Sequence, residues 1–347
     1  MILGSPTPGV RSVGVTLSSV TVVQGAFDQQ RQGYFSRLVV GTPDGPVDHP
    51  AAWRGADLAP ERYTFSLTDE EIADLGDCAD RLLAEGVPMS GVDAELASLP
   101  NLQSRLPGWR EELRDGLGVV LLRGVPVRAW GTEKTSMAYW CLGHALGSPG
   151  PQNPAGELLG HVTDYRDGPE AGLVRLYRTS DDIRFHCDAA DVVGLLALRT
   201  AERGGESRIA SSTAIHNEIV QRRPDMAAEL FEPFDYDRRD EEKPGDSPVF
   251  TVTPAAWDGR MLRVFWHSDY MRSAVRHDGV ELSNRRQEFI DLFDAIGAEP
   301  EMRLDMQLDE GDIQLISNHT VVHSRTAYVD HVDPDERRHL LRLWLSL

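Results

Sequence analysis

Cysteine is scarce in this chain of 347 residues: Cys78, Cys141 and Cys187 are all it has, and none lies close to another. Thiols so few, odd in number and widely spaced exclude a disulfide-built scaffold and fit a reducing compartment, so the expected location is the cytoplasm. Basic residues are outnumbered, with 35 Lys and Arg against 55 Asp and Glu and a formal net charge of −20. A nucleic-acid binder carries a basic face, and an anionic membrane attracts one, so neither partner is expected. No apolar run approaches the length that spans a bilayer. The opening stretch, Met1 to Pro6, lacks a basic start followed by an apolar core, so a signal peptide is not expected. Two metal-site signatures are also missing, the His-x-His triplet of many cupins and the His-Glu-x-x-His helix of zinc hydrolases. What is present, 41% hydrophobic and 26% charged residues, suits a globular protein with a large core, as one elaborated domain or two.

Residues 1 to about 60 are rich in Gly, Pro, Val and Thr; Val13–Val23 and Gly33–Val40 read as strands, and Pro43–Pro60 as loop. Thr68, with Glu71 three residues on, predicts a capping box opening a helix that runs to about Glu85 before Gly86. Leu106–Leu117 and Lys134–Leu146 read as helices, with Gly118–Gly124 as a buried strand between them. From about residue 160 the texture changes to short strands. These are Leu173–Arg178, Ile183–Asp188, Val193–Thr200, Ser207–Ser211, Phe250–Thr253, Met261–Phe265, Met302–Gln307, Ile313–Ser317 and His339–Leu345. Helices over Ser212–Arg222 and Ser283–Gly297 interrupt them. Many short strands with helical insertions predict a mainly β fold with a jelly-roll (double-stranded β-helix) core. The charged run Arg238–Asp246 reads as a mobile surface loop.

The chemistry concentrates in two segments: Phe185-His186-Cys187-Asp188, and Asn318-His319-Thr320-Val321-Val322-His323-Ser324-Arg325. On a strand, residues i and i+2 share a side, so His186 and Asp188 can meet one metal ion while Cys187 points away as a small buried filler. Two imidazoles and a carboxylate occupy one face of Fe(II) and leave positions for other ligands. The third ligand is a distant histidine; His319 and His323 have the same parity, so the residues alone leave both open. Arg338 and Arg342 also share parity within an apolar, strand-like surround, and both can face inward.

This order, His-x-Asp, then Gly204-Gly205-Glu206-Ser207, then a distal His followed by an Arg-x-x-x-Arg pair, resembles the Fe(II)/2-oxoglutarate-dependent dioxygenases of the taurine dioxygenase and clavaminate synthase (TauD/TfdA) group. The resemblance is sharpest over residues 182–212 and 311–347 and faint before 105. It implies a jelly-roll core over residues 105–347 with residues 1–104 packed on it as a lid, a dimer contact or both. It selects His323, since Asn318 precedes it by five residues and Arg325 follows it by two. The implied metal set is His186, Asp188 and His323 with Fe(II); the implied co-substrates are 2-oxoglutarate and O2. Arg338 and Ser207 would hold the distal carboxylate of 2-oxoglutarate. Arg342, Gln152, Asn153 and His161, with Tyr165 beside them, are expected to face the substrate, and Trp266, His267 and Tyr270 to line its pocket. Arg342 points to an anionic, carboxylate-bearing small molecule, which would be hydroxylated, desaturated or cyclised. Asp188 stands where halogenating relatives carry a small residue, so halogenation is not expected. A cupin-like metal site, as another oxygenase or a non-catalytic binder, is the alternative; it has no need of a dicarboxylate clamp.

Overall fold

Alternation along the strands decides the architecture. The computed structural model describes residues 27–153, 156–165, 179–242 and 245–347. Its larger sheet runs, in spatial order, Thr64–Ser66, Val119–Arg123, Ile313–Ser317, Val192–Arg199, His339–Ser346 and Ser148–Gly150, with Gly160–Val162 also beside His339–Ser346. The smaller runs Arg303–Met306, Ser207–Ser211, Val321–Arg325 and Ile183–His186. Val119, Leu121, Val193, Ala197, Ile316 and Leu340 from the first share one apolar cluster with Ile209, Met306 and Val321 from the second, so the two sheets enclose a common core. The intervening residues, among them Val120, Leu122, Leu196, Leu315, Leu341 and Leu343, pack outward beneath the helices Asp69–Ala84, Leu106–Arg114 and Val127–Leu146. The far face of the smaller sheet, with Phe185, Ala210 and Val322, is covered by Ser212–Arg222 and Asn284–Ala298. Strands buried on both faces explain the apolar runs that marked them in the sequence.

The capping box forms as expected: the Glu71 backbone N–H donates to Thr68 Oγ1 at 3.3 Å and the Thr68 N–H to Glu71 Oε2 at 2.9 Å. Ser207–Ser211, Ile313–Ser317 and Ser212–Arg222 fall where the pattern places them. The Gly33–Val40 strand does not exist: residues 27–35 are helical, and only Gly41 bridges to Trp257. The helix carries Phe27 and Tyr34 into the core at 7% and 2% exposure, and this burial overrides the β propensity of the segment. The expected strands Val13–Val23 and Leu173–Arg178 lie outside the described residues. Among the described residues, no helix is long and apolar enough to cross a membrane.

Burial holds several imidazoles below their usual range. His216 and His319 are shifted down by desolvation, and His339 falls to about 4 through desolvation with His161 and Arg199 nearby. The unfolded chain takes up these protons near pH 6.5, before the folded protein does. Their contribution to stability is therefore whole above about 6.5 and is lost as pH falls through the folded values. The melting temperature should drop between about pH 6.5 and 4; a flat profile over that window would contradict this assignment.

Candidate active site

His186, at the end of its strand, pairs in register with His323, and the two rings lie 4.2 Å apart centre to centre. Asp188 sits in the turn beyond. That turn is clamped by Asn318, whose Oδ1 accepts from the Asp188 N–H at 3.0 Å and whose Nδ2 donates to the Ala190 carbonyl at 2.9 Å. Asp188 Oδ2 comes 3.8 Å from His323 Nε2, and Oδ1 3.5 Å from Arg342 Nη1. Cys187 turns the other way, its Sγ 3.6 Å from the Val264 and Val321 carbonyls. His186 Nδ1 lies 2.9 Å from the Arg184 carbonyl; a carbonyl only accepts, so Nδ1 donates and Nε2 is the nitrogen left to ligate.

Charge and burial suit this trio to a cation. Burial, with His186 beside it, pushes His323 down to about 3, so its ring is neutral, the form that ligates. Burial raises the Asp188 carboxyl, but Arg342, His323 and His186 outweigh it and hold it below the usual range. Among the described residues, Asp188 Oδ2 is buried without a hydrogen-bond partner, a costly state that a bound ion relieves. Among the described residues, no group of three His, Cys, Asp or Glu is already closed around a metal position. Asp188 leans toward Arg342, and the donor chemistry rather than a preformed cage is what fits Fe(II). His319 plays another part: its Nε2 is 2.8 Å from Asp191 Oδ1 and its ring stacks on Tyr34 at 4.7 Å.

A small cavity of about 60 Å³ begins at His186 and His323 and reaches Ser207, Arg325 and Arg338. Strand alternation puts Arg338, Leu340 and Arg342 on its wall, while Leu341 and Leu343 face the helices. Among the described residues, Arg338 Nη1 and Arg325 Nε and Nη1 are buried with no hydrogen-bond partner, while Arg325 Nη2 donates to the Thr179 and Asp181 carbonyls. Their guanidiniums lie 5.0 and 4.8 Å from the Tyr328 ring. Burial, with Arg325 nearby, lowers Arg338 to about 10, which leaves it cationic at neutral pH. Ser207 donates its hydroxyl to Gln314 Oε1 at 2.8 Å.

A family model described as "Taurine catabolism dioxygenase TauD, TfdA family" matches residues 80–344. The chain belongs to that family. It is therefore an Fe(II)- and 2-oxoglutarate-dependent dioxygenase that uses O2, and the cupin alternative falls away. FR-33289 synthase of Streptomyces rubellomurinus (strain ATCC 31215) is 28% identical over 307 residues, spanning 87% of this chain and 91% of that one. The taurine hydroxylase-like protein SAT17 of Stachybotrys chartarum (strain CBS 109288 / IBT 7711) is 24% identical over 313 residues, spanning 86% and 79%. Asparagine oxygenase, solved with Fe(II), 2S,3S-3-hydroxyasparagine and succinate, superposes with a TM-score of 0.66 at 18% identity over 82% of this chain and 94% of its own. The non-haem iron oxygenase OrfP with Fe and alpha-ketoglutaric acid gives 0.61 at 18% identity over 82% and 93%. The chain thus shares the fold of these oxygenases.

A second cavity of about 130 Å³ opens on the other side of Asp188. Its wall includes Phe27, Arg31, Arg238, Glu241, His267 and Tyr270. His267 and Tyr270 are where the sequence places them, stacked at 3.6 Å, with His267 5.1 Å from the His186 ring. Trp266 is not in the pocket: it is fully buried, stacked on Phe293 at 3.9 Å and bonded to Asp294. Gln152 reaches this cavity, but its amide accepts from Arg342 Nε at 2.7 Å and donates to the Arg342 and Leu158 carbonyls. Asn153 and His161 line neither cavity. Asn153 closes a turn onto Glu157; His161 Nδ1 lies 2.7 Å from His339 Nε2, because alternation turns Val162 inward and His161 outward. Tyr165 is exposed. Sequence reasoning passed over Arg325 as a side chain of the site, though it shares the parity of His323, and read Arg238 and Glu241 as loop.

Gly204 and Gly205 take φ of +77° and +76°, and a Cβ on Gly205 would stand 3.0 Å from Arg338 Nε. Gly205→Ala should cost about 1–2 kcal/mol of backbone strain and displace Arg338. The expected result is a raised KM for 2-oxoglutarate and a lower melting temperature; an unchanged KM would show that the turn does not position Arg338.

Proposed function

We propose that His186, Asp188 and His323 hold the Fe(II), that Arg338 holds the distal carboxylate of 2-oxoglutarate, with the Ser207 hydroxyl turning from Gln314 to donate to it, and that the enzyme hydroxylates a C–H bond of a small anionic molecule in the outer cavity. The observation that carries this is the inner cavity itself. One end offers two imidazoles; the other offers buried, unpartnered guanidinium N–H groups. Buried guanidinium N–H groups left unbonded are costly, and a dicarboxylate spanning the cavity satisfies both ends. When bound, the iron and its keto-acid co-substrate supply the oxidising chemistry, with succinate and CO2 as co-products. The chain's own work is geometric. Asn318 fixes the Asp188 turn, Arg184 fixes the His186 tautomer, and Gln152 with Asp188 holds Arg342 at the junction of the two cavities.

In this reading the two sheets form a double-stranded β-helix whose core lies within residues 105–347, with residues 27–104 packed on it and adding the edge strand Thr64–Ser66. An amino-acid-like substrate is supported by the hydroxylated amino acids held by the asparagine oxygenase and OrfP structures. A biosynthetic tailoring role is supported by the relative named as a synthase. The test is succinate release from 2-oxoglutarate across a panel of small amino and oxo acids, with product mass measured. Stimulated release with one oxygen gained is the expected result. A product that only loses two hydrogens would replace hydroxylation with desaturation or cyclisation.

A further inference from the structure

We propose that Arg325 is a second anchor for the distal carboxylate of 2-oxoglutarate, so that two guanidiniums rather than one make the inner cavity select a dicarboxylate. The proposal deepens the reading of that cavity as the 2-oxoglutarate site and rests on it.

The placement follows from the strands. Arg325 shares one side of its strand with His323 and lines the inner cavity. On the neighbouring antiparallel strand its register partner is Ser207. Residues directly opposite in such a pair lie on one face with their Cβ atoms about 5 Å apart, so Arg325 and the Ser207 hydroxyl address the same end of the cavity. Arg338, next to the strand His339–Ser346 of the larger sheet, reaches that end from the other side. Arg325 and Arg338 lie 4.8 and 5.0 Å from the centre of the Tyr328 ring, which orients both.

Arg325 is held by one nitrogen only. Its Nη2 donates to the Thr179 carbonyl at 2.9 Å and to the Asp181 carbonyl. Among the described residues, its Nε and Nη1 are buried with no hydrogen-bond partner. Arg325 is 6% exposed, so leaving those N–H groups unbonded is costly. The nearby acids do not fill this need. Glu206, beside Ser207, accepts from Thr326 Oγ1, and Asp330 Oδ1 accepts from the Arg338 backbone N–H at 2.6 Å. Burial lowers the Arg325 guanidinium below its usual range despite Asp164, Asp181 and Asp182 nearby; Arg338 is lowered by burial and by Arg325 itself. Two cations at one buried end repel, and an anion bonded to both relieves them. A carboxylate has the lone pairs to accept from both forks and from the Ser207 hydroxyl. An apolar end group in its place would leave all three donors unserved.

Binding is read by calorimetry on the whole protein loaded anaerobically with Fe(II). The probes are 2-oxoglutarate and 2-oxopentanoate, which carries a methyl group in place of the distal carboxylate. Each is titrated into the parent, Arg325→Gln, Arg325→Lys and Arg338→Ala. The parent should favour 2-oxoglutarate. Arg325→Gln should cut that preference about tenfold or more, a hydrogen bond to a charged group being lost, while 2-oxopentanoate binds as in the parent. Arg325→Lys keeps the charge and loses the fork, so it should cut the preference less but measurably, and it carries the test if the Gln variant does not fold. A residue that only braces the Thr179 and Asp181 carbonyls would lower the melting temperature and weaken both acids alike. An unchanged preference in the Arg325 variants therefore overturns the proposal. If Arg338→Ala loses the preference in that case, the reading of the inner cavity stands and Arg325 alone is removed from it. If the parent shows no preference, or Arg338→Ala keeps it in full, that reading fails first and this anchor falls with it.

Discussion

Arg338→Ala should raise the KM for 2-oxoglutarate about thirtyfold or more, corresponding to roughly 2 kcal/mol at the low end of what truncating one partner of a buried charge pair costs. Iron binding should be unchanged, because Arg338 stands at the far end of the inner cavity from His186 and His323. Arg338 is 6% exposed, and among the described residues its Nη1 has no hydrogen-bond partner. A carboxylate is the group such a fork is shaped for, and its loss would leave that carboxylate buried without its counter-charge. Arg338→Lys should recover part of the effect, since the charge is kept and the fork is lost. Succinate formation over a range of 2-oxoglutarate concentrations reads the result. A fall in kcat at unchanged KM would place Arg338 outside the co-substrate site.

Asp188→Ala should reduce turnover to background and weaken iron binding by more than the roughly 10–100-fold that changes to outer-shell partners cost. Three donors are available, and the substitution removes the anionic one. It also removes the carboxylate that Arg342 approaches at 3.5 Å, leaving a buried cation beside the metal position without that counter-charge. Asp188→Asn separates these effects: the shape is kept, the charge is lost, and iron affinity should still fall sharply. Asp191→Ala is the control. It releases His319, which lies near in sequence but not in the trio, and should lower thermal stability while iron affinity holds. Iron measured in dialysed protein decides the matter; equal iron in Asp188→Ala and the parent would remove Asp188 from the ligand set.

The strand periods carried most of what was legible in the sequence. Around residues 338–345, alternation with apolar neighbours placed both arginines inward, and His-x-Asp placed two donors beside each other with Cys187 reversed. What stayed hidden depended on partners far along the chain. His161 looked like a polar loop residue, but its orientation is set by His339, 178 residues away. Trp266 looked like a pocket aromatic, but Phe293 and Asp294 draw it into the core. Arg238 and Glu241 looked like solvated loop because the cavity they line needs Phe27, Arg31 and Trp344 from distant segments. The helix of residues 27–35 is fixed by what it packs against rather than by its own propensity, so the period of its residues did not disclose it.

The central claim is that Fe(II) is held by His186, Asp188 and His323 and that 2-oxoglutarate lies in the inner cavity against Arg338. Its most direct test is the visible spectrum of the anaerobic, Fe(II)-loaded protein as 2-oxoglutarate is added. The account predicts a weak charge-transfer band from keto-acid chelation in the parent, absent in Asp188→Ala and reached only at much higher 2-oxoglutarate in Arg338→Ala. Iron demonstrably bound to the parent with no band at any 2-oxoglutarate concentration would contradict it.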